Sequence, residues 1–117
     1  MRRYLITLTA VMLGLAACSD GTNGAVLPEG AIILDVRTPG EYAEGHLDGA
    51  LLIDFNAGDV TAAIPELDPN ADYLVYCRSG NRSGQAKLLM EQAGFENVTN
   101  LGSLEEAAET TGIDIVR

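Results

Sequence analysis

The chain has 117 residues, a formal net charge of −10 and an apolar share of 47%. That length holds one small domain at most, and the apolar share is enough for a single core. The acidic balance argues against nucleic acid and anionic membrane surfaces as partners, since both are themselves negative. One histidine and one cysteine free of the N-terminal segment give a metal site of the usual four ligands poor support.

In chain order, Arg2 and Arg3 precede YLITLTAVMLGL, an apolar run too short to span a bilayer comfortably. This reads as a signal peptide over residues 1–17. It ends in Leu15-Ala16-Ala17-Cys18, which resembles the lipobox of bacterial lipoproteins. The resemblance implies cleavage before Cys18 and a diacylglycerol thioether on its sulfur, the only membrane contact expected. Ser19, not aspartate, follows Cys18. By the sorting rule of enterobacterial lipoproteins, that points to the periplasmic face of the outer membrane, or to the outer cell surface where the organism has a single membrane. The stretch SDGTNGAVLPEG is rich in Gly, Asn, Asp and Pro, so residues 18–30 read as a lipidated cysteine and flexible tether ahead of a domain at 31–117. A lipidated Cys18 cannot form a disulfide, which leaves Cys77 as a lone thiol outside the cytoplasm.

The domain begins with AIILDV, a continuous apolar run suited to a strand covered on both faces. TPGEYAEG follows as a short helix, with Thr38 as cap, Pro39 in the first turn and Glu41 completing a capping box. ALLIDF reads as a second buried strand and VTAAIPEL as a weak helix interrupted by Pro65. DPNADY is a turn, and YLVYC a third strand that ends at Cys77. SGQAKLLMEQAG reads as a helix with Ala86, Leu89, Met90 and Ala93 on one face and Gly94 as its stop. NVTNL is a short fourth strand and SLEEAAETTG a last helix. Strands alternating with helices imply an α/β fold, a central parallel sheet flanked by helices on both faces. In such sheets ligands bind beyond the carboxyl ends of the strands, and Cys77 stands at one.

The loop CRSGNRS, Cys77 to Ser83, bridges that strand end and a helix start. Gly80 permits a tight curl with main-chain N–H groups pointing inward. N–H groups gathered at a helix N-terminus form an anion cradle. A thiol held there is stabilised as thiolate, and Arg78 and Arg82 push the same way, so the loop should make a nucleophile at neutral pH. It should also take an anionic substrate. Without Arg2 and Arg3 the chain has five basic residues against seventeen acidic ones. Four of the five, Arg37, Arg78, Arg82 and Lys87, lie in or near these motifs, and a small anion would be drawn to them. Lys87 is equally well a solvated helix residue.

CRSGNRS resembles the active-site loop of single-domain rhodanese-like sulfurtransferases. LDVRTPGEYAEGHLDGA, Leu34 to Ala50, is similar to that family's other hallmark, and both stand in the family's order and spacing. The resemblance implies a thiosulfate sulfurtransferase. The Cys77 thiolate takes a sulfane sulfur from a small anionic donor such as thiosulfate, sulfite leaves, and a thiol or cyanide acceptor removes the sulfur. It implies no metal and no organic cofactor. Arg78 and Arg82 would hold the donor's sulfonate, with Ser79, Gly80, Asn81 and Ser83 completing the loop. Related phosphatases and arsenate reductases place five residues between cysteine and arginine, whereas four separate Cys77 from Arg82. Such a loop is too short for a phosphoryl group and suits a single sulfur. Asp35 is expected to serve structurally, as a cap or as partner of a loop arginine. Arg37 either contacts substrate or braces the loop, and His46 matches a structural position of the family.

The family usually carries a strand and a helix ahead of its Asp-Val-Arg strand. Here that unit is expected to be missing or reduced to Ala25-Val26-Leu27, with the sheet edge bare or covered by a partner. Gly102-Ser103 stands where the family often has Gly-Gly, and the chain has no tryptophan, so a smaller core is expected near the active face. The alternative reading is a carrier or binding module whose Cys77 persulfide comes from a partner protein. A thiol redox role ranks last because no resolving cysteine is in reach.

Overall fold

The computed structural model describes residues 27–117. The signal peptide, Cys18 and the tether through residue 26 lie outside the described residues. The elements run β1 (Ile32–Asp35), α1 (Pro39–Glu44), β2 (His46–Leu47), β3 (Leu51–Leu52), α2 (Asp59–Ala63), a 3-10 turn (Ile64–Glu66), β4 (Tyr73–Cys77), α3 (Asn81–Gln92), β5 (Val98–Ser103), α4 (Leu104–Thr111) and β6 (Ile115–Val116). Four strands form a parallel sheet in the order β3-β1-β4-β5. β2 and β6 pair antiparallel beside it.

Side chains alternate across the sheet as strand geometry requires. Leu34, Tyr73, Val75 and Cys77 face α2 and α3, joined by Val60, Ala86, Met90 and Phe95. Ile33, Leu74 and Tyr76 face the opposite way, toward Leu47, Leu104 and Ala107. Helices therefore cover both faces, as the alternation of elements predicts. Each buried aliphatic or aromatic side chain contributes about 2 kcal/mol of transfer free energy, which is how two thin layers hold so short a chain.

Three readings need correction. ALLIDF is not a six-residue buried strand: only Leu51–Leu52 joins the ladder, and Leu51 is 53% exposed. It is an edge strand, and the Ile53 and Phe55 N–H groups continue its bonding to the carbonyls of Asp35 and Val36 as the chain turns away. α3 starts at Asn81, two residues ahead of the expected start, because Gly80 caps it from a left-handed conformation. At its other end Ala93 is exposed, since the helix stops at Gln92 ahead of Gly94. The β2–β6 pair was not expected at all. Among the described residues β5 is an edge of the main sheet, and no helix is long and apolar enough to cross a membrane.

Candidate active site

β1 and β4 pair in register, Asp35 opposite Tyr76, so their carboxyl ends finish side by side. Cys77 closes β4 with no exposed surface. The chain then curls through Gly80, whose φ of 93° lies in the left-handed region. Gly80 caps α3 without a side-chain hydrogen bond. The N–H groups of the loop and first helical turn are thus free to face the sulfur. The Gly80 N–H donates to Cys77 Sγ at 3.0 Å, and the Ser83 hydroxyl lies 3.4 Å from the same atom. Burial pushes the thiol up. Hydrogen bonds from the Ser83 hydroxyl and from the N–H groups of Ser83, Ser79 and Gly80 more than offset it, so the net shift is downward. Cys77 is the free cysteine of the described residues.

The expected share of the arginines is smaller. Arg82 makes a two-pronged ion pair with Glu41, at 2.9 Å to Oε1 and 3.2 Å to Oε2. The hydrogen bond from Arg82 holds the Glu41 carboxyl down to about 2, against the effect of burial, with Thr38 assisting. Arg82 and a Cys77 thiolate attract each other, but Glu41 has already neutralised the guanidinium. Two of the five Arg82 N–H donors, one on Nη1 and one on Nη2, are thus engaged by Glu41. The Arg78 side chain is 71% exposed, with its nearest approach to Glu41 at 3.5 Å. Lys87 pairs with Glu91, one turn further along α3, at 3.1 Å. Asn81 accepts from the Gln85 amide, and Ser79 accepts weakly from the Asn81 N–H. Both sit on the exposed rim of the loop.

Asp35 does serve structurally, but its partner is Arg37 and not a loop arginine. Its two oxygens accept from the Arg37 main-chain N–H at 2.9 Å, from Nε at 2.9 Å and from Nη2 at 2.7 Å. The Tyr76 hydroxyl adds a bond at 2.8 Å and accepts from the Leu47 N–H. Burial opposes the Arg37 charge, and Asp35 more than restores it. Burial also pushes the Tyr76 phenol up. Arg37 binds the Gly45 carbonyl as well, so it braces the end of α1. His46 stacks on Tyr42, with ring centres 3.6 Å apart, and its Nδ1 bonds the Tyr42 carbonyl. That is a structural post.

Two residues were missed as parts of this site. Glu41 was seen only as a capping-box residue, which it is; its grip on Arg82 joins positions 41 residues apart. Asn100 lies on β5. Its amide bonds Ser83, Gly80 and Gly102. Its one sequence signal is that asparagine is poorly suited to a strand interior. Beside the loop, Arg37, Arg78, Leu104 and Glu105 line a cleft of about 230 Å³.

The Rhodanese-like domain family matches residues 23–109 of this chain. Thiosulfate sulfurtransferase PspE of Escherichia coli (strain K12) is 36% identical over 75 residues, 64% of this chain and 72% of that protein. Thiosulfate sulfurtransferase GlpE of Pseudomonas entomophila (strain L48) is 38% identical over 77 residues, covering 66% of this chain and 69% of its own. A solved structure described as rhodanese with anions from E. coli aligns with a TM-score of 0.63 at 31% identity, over 74% of this chain and 98% of that one. Relatives of this kind, together with a thiol cradle at a strand's carboxyl end, make this a sulfurtransferase of the rhodanese type. The chain belongs to the rhodanese-like family.

Proposed function

We propose that this sulfurtransferase takes the sulfane sulfur of thiosulfate onto Cys77 as a persulfide and passes it to a thiol or to cyanide. One observation carries the reading: a buried thiol whose partners are main-chain N–H groups and a hydroxyl, which lower its pKa without an adjoining base. The Cys77 thiolate attacks the outer sulfur of the donor. The new S–S bond forms as the old one breaks, and sulfite leaves with the electron pair. An acceptor thiolate or cyanide then attacks the outer sulfur of the persulfide, and Cys77 departs as thiolate into the same N–H groups. No metal or organic cofactor enters either step. Arg78, exposed at the cleft beside the loop, suits the sulfonate of the donor. A solved relative that holds anions supports a site for a small anion.

The test is sulfur loading. Reduced protein incubated with thiosulfate should gain the mass of one sulfur on its Cys77 peptide, and cyanide should remove it as thiocyanate. Cys77→Ser should abolish both while the fold is kept. The complete burial of Cys77 favours one other reading, a carrier whose loop opens only for a partner protein. Under it, thiosulfate adds no mass to a folded, alkylatable Cys77, and a persulfide partner does. We further propose that Cys18 carries the lipid and that the protein sits on the periplasmic face of the outer membrane. Palmitate labelling lost in Cys18→Ala, with outer-membrane fractionation, tests this; label retained in that variant refutes the assignment.

A further inference from the structure

The Ser83 hydroxyl has one hydrogen and two acceptors. Asn100 Oδ1 lies 2.7 Å away and Cys77 Sγ lies 3.4 Å away. Ser83 is fully buried, so water does not offer a third choice. The orientation of the Asn100 amide is settled by its neighbours. Its Oδ1 also accepts from the Gly102 N–H at 3.0 Å, and its Nδ2 donates to the Gly80 carbonyl at 3.0 Å. The flipped amide would set donor against donor and acceptor against acceptor. The backbone is shaped for this contact: β5 bulges at Leu101, so that Val75 pairs with Asn100 and Tyr76 with Gly102. Gly80 and Gly102 approach so closely that a Cβ on Gly80 would meet the Gly102 Cα at 3.3 Å.

We propose that Asn100 is a positioning residue for the reacting thiol, holding the Ser83 proton while the sulfur is neutral and releasing it when the sulfur becomes negative. An amide oxygen is a better acceptor than a neutral sulfur. With a thiol or persulfide at Cys77, the hydroxyl hydrogen points to Asn100 and the oxygen's lone pair faces the sulfur. A thiolate reverses the preference, because bonds to an ionised acceptor are roughly twice as strong. When the acceptor removes the outer sulfur and charge returns to Sγ, the hydroxyl turns by rotation alone, and no covalent bond changes. Asn100 therefore limits how far Ser83 stabilises the thiolate. That limit is useful, because nucleophilicity falls with thiol pKa and the best attacking thiol titrates near ambient pH. Arg82 from α3 is the cation coupled to the sulfur, and Glu41 from α1 and Arg37 after β1 act on Arg82 in turn; Arg78 reaches Glu41 from the loop. β5 contributes no ionisable side chain, and Tyr76 of β4 faces the opposite side of the sheet.

The inference rests on Cys77 as the reacting sulfur, but its test needs no sulfur donor, so a failure of thiosulfate loading leaves it readable. Iodoacetamide alkylation of Cys77 is followed against pH on the full-length reduced protein, by the mass of the Cys77 peptide. The variants are Asn100→Ala, Asn100→Asp and Ser83→Ala, with both doubles. Removing the competing acceptor should move the alkylation midpoint down, and the stronger aspartate acceptor should move it up. The change is roughly threefold in rate below the midpoint, the size of one redirected neutral hydrogen bond. The downward movement should nearly vanish in the Ser83→Ala background, and the upward one should shrink to what the aspartate charge alone does to the thiolate, which is the same in both backgrounds. Loosening of the loop through the Gly80 carbonyl acts equally in both backgrounds and cancels in the cycle. If Asn100→Ala does not fold, the near-isosteric Asn100→Leu carries the comparison, since it removes the Oδ1 acceptor without adding charge. Shifts of equal size with and without the Ser83 hydroxyl, or of the opposite sign, overturn the proposal.

Discussion

The two faces of the sheet handle buried polarity in opposite ways. On the face toward α4, Asp35 and Arg37 are almost wholly inaccessible, and each charge is answered by the other, with Tyr76 completing the group. On the face toward α3, Cys77 is just as buried, but its partners are uncharged donors. The first arrangement is already neutral and has nothing to gain from a ligand. The second has donors prepared for a charge that is present only when the thiol ionises or departs. Burial alone therefore does not mark a reactive group. The distinction lies in whether the charge is matched at rest or awaited.

The sharpest way to break this comparison is Asp35→Ala. It leaves Arg37 buried with its charge uncompensated, and about 3–5 kcal/mol of stability should be lost in urea unfolding. The alkylation midpoint of Cys77 in the protein that remains folded should not move. A midpoint that shifts with the stability would show that the two faces are coupled and would end the contrast. Gly80→Ala strikes the other face. Its φ of 93° strains any side chain and its Cβ would press on Gly102, so about 2 kcal/mol is expected to be lost. Here alkylation should slow as well, because the displaced Gly80 N–H is the one that bonds the sulfur.

How much of this was legible in the sequence differs along the chain. β1, β4 and the capping box at Thr38 were readable because each rests on neighbours in sequence: apolar runs, or a cap with its partner three residues on. The thiol loop was readable because one local segment carries the cysteine, the glycine and the helix start. β2 and β6 were not, since two residues are too few to show a period. The partner of Asp35 stayed open for a different reason. A chain that alternates across a sheet puts Asp35, Arg37 and Tyr76 on one face and Cys77 on the other, and only register decides which arginine arrives where. Glu41 and Asn100 were missed as site residues because their decisive bonds reach α3 across 41 and 17 positions.

Glu41 sharpens the comparison with a pH signature, because its pairing with Arg82 carries a matched charge into the thiol loop. Its carboxyl falls from an ordinary 4.5 to about 2 in the folded chain. A lowered acid binds its proton less readily when folded, so it stabilises the fold above about 4.5, and that contribution disappears as pH falls through about 2. Glu41→Gln should cost about 2 kcal/mol at neutral pH. The gap between variant and parent should close as the pH falls through that window. A gap that is constant with pH would mean the capping bonds to Thr38 and not the charge on Glu41 hold the loop.

The smallest effect is expected at Lys87, and its smallness is what the comparison requires. Lys87 and Glu91 are both over a third exposed and stand one turn apart on α3. Such pairs contribute roughly 0.3–0.5 kcal/mol, less when lysine precedes the acid, and salt screens them. Lys87→Gln should therefore barely change the unfolding midpoint. Its consequence for thiosulfate is more informative. If donors without net charge at rest make the site, the KM should change by less than about twofold, because a cation already paired at the surface adds little to the field. A several-fold rise in KM that vanishes at high salt would show that Lys87 draws the anion in. Long-range charge would then belong to the α3 face after all, beside the N–H groups that hold the sulfur.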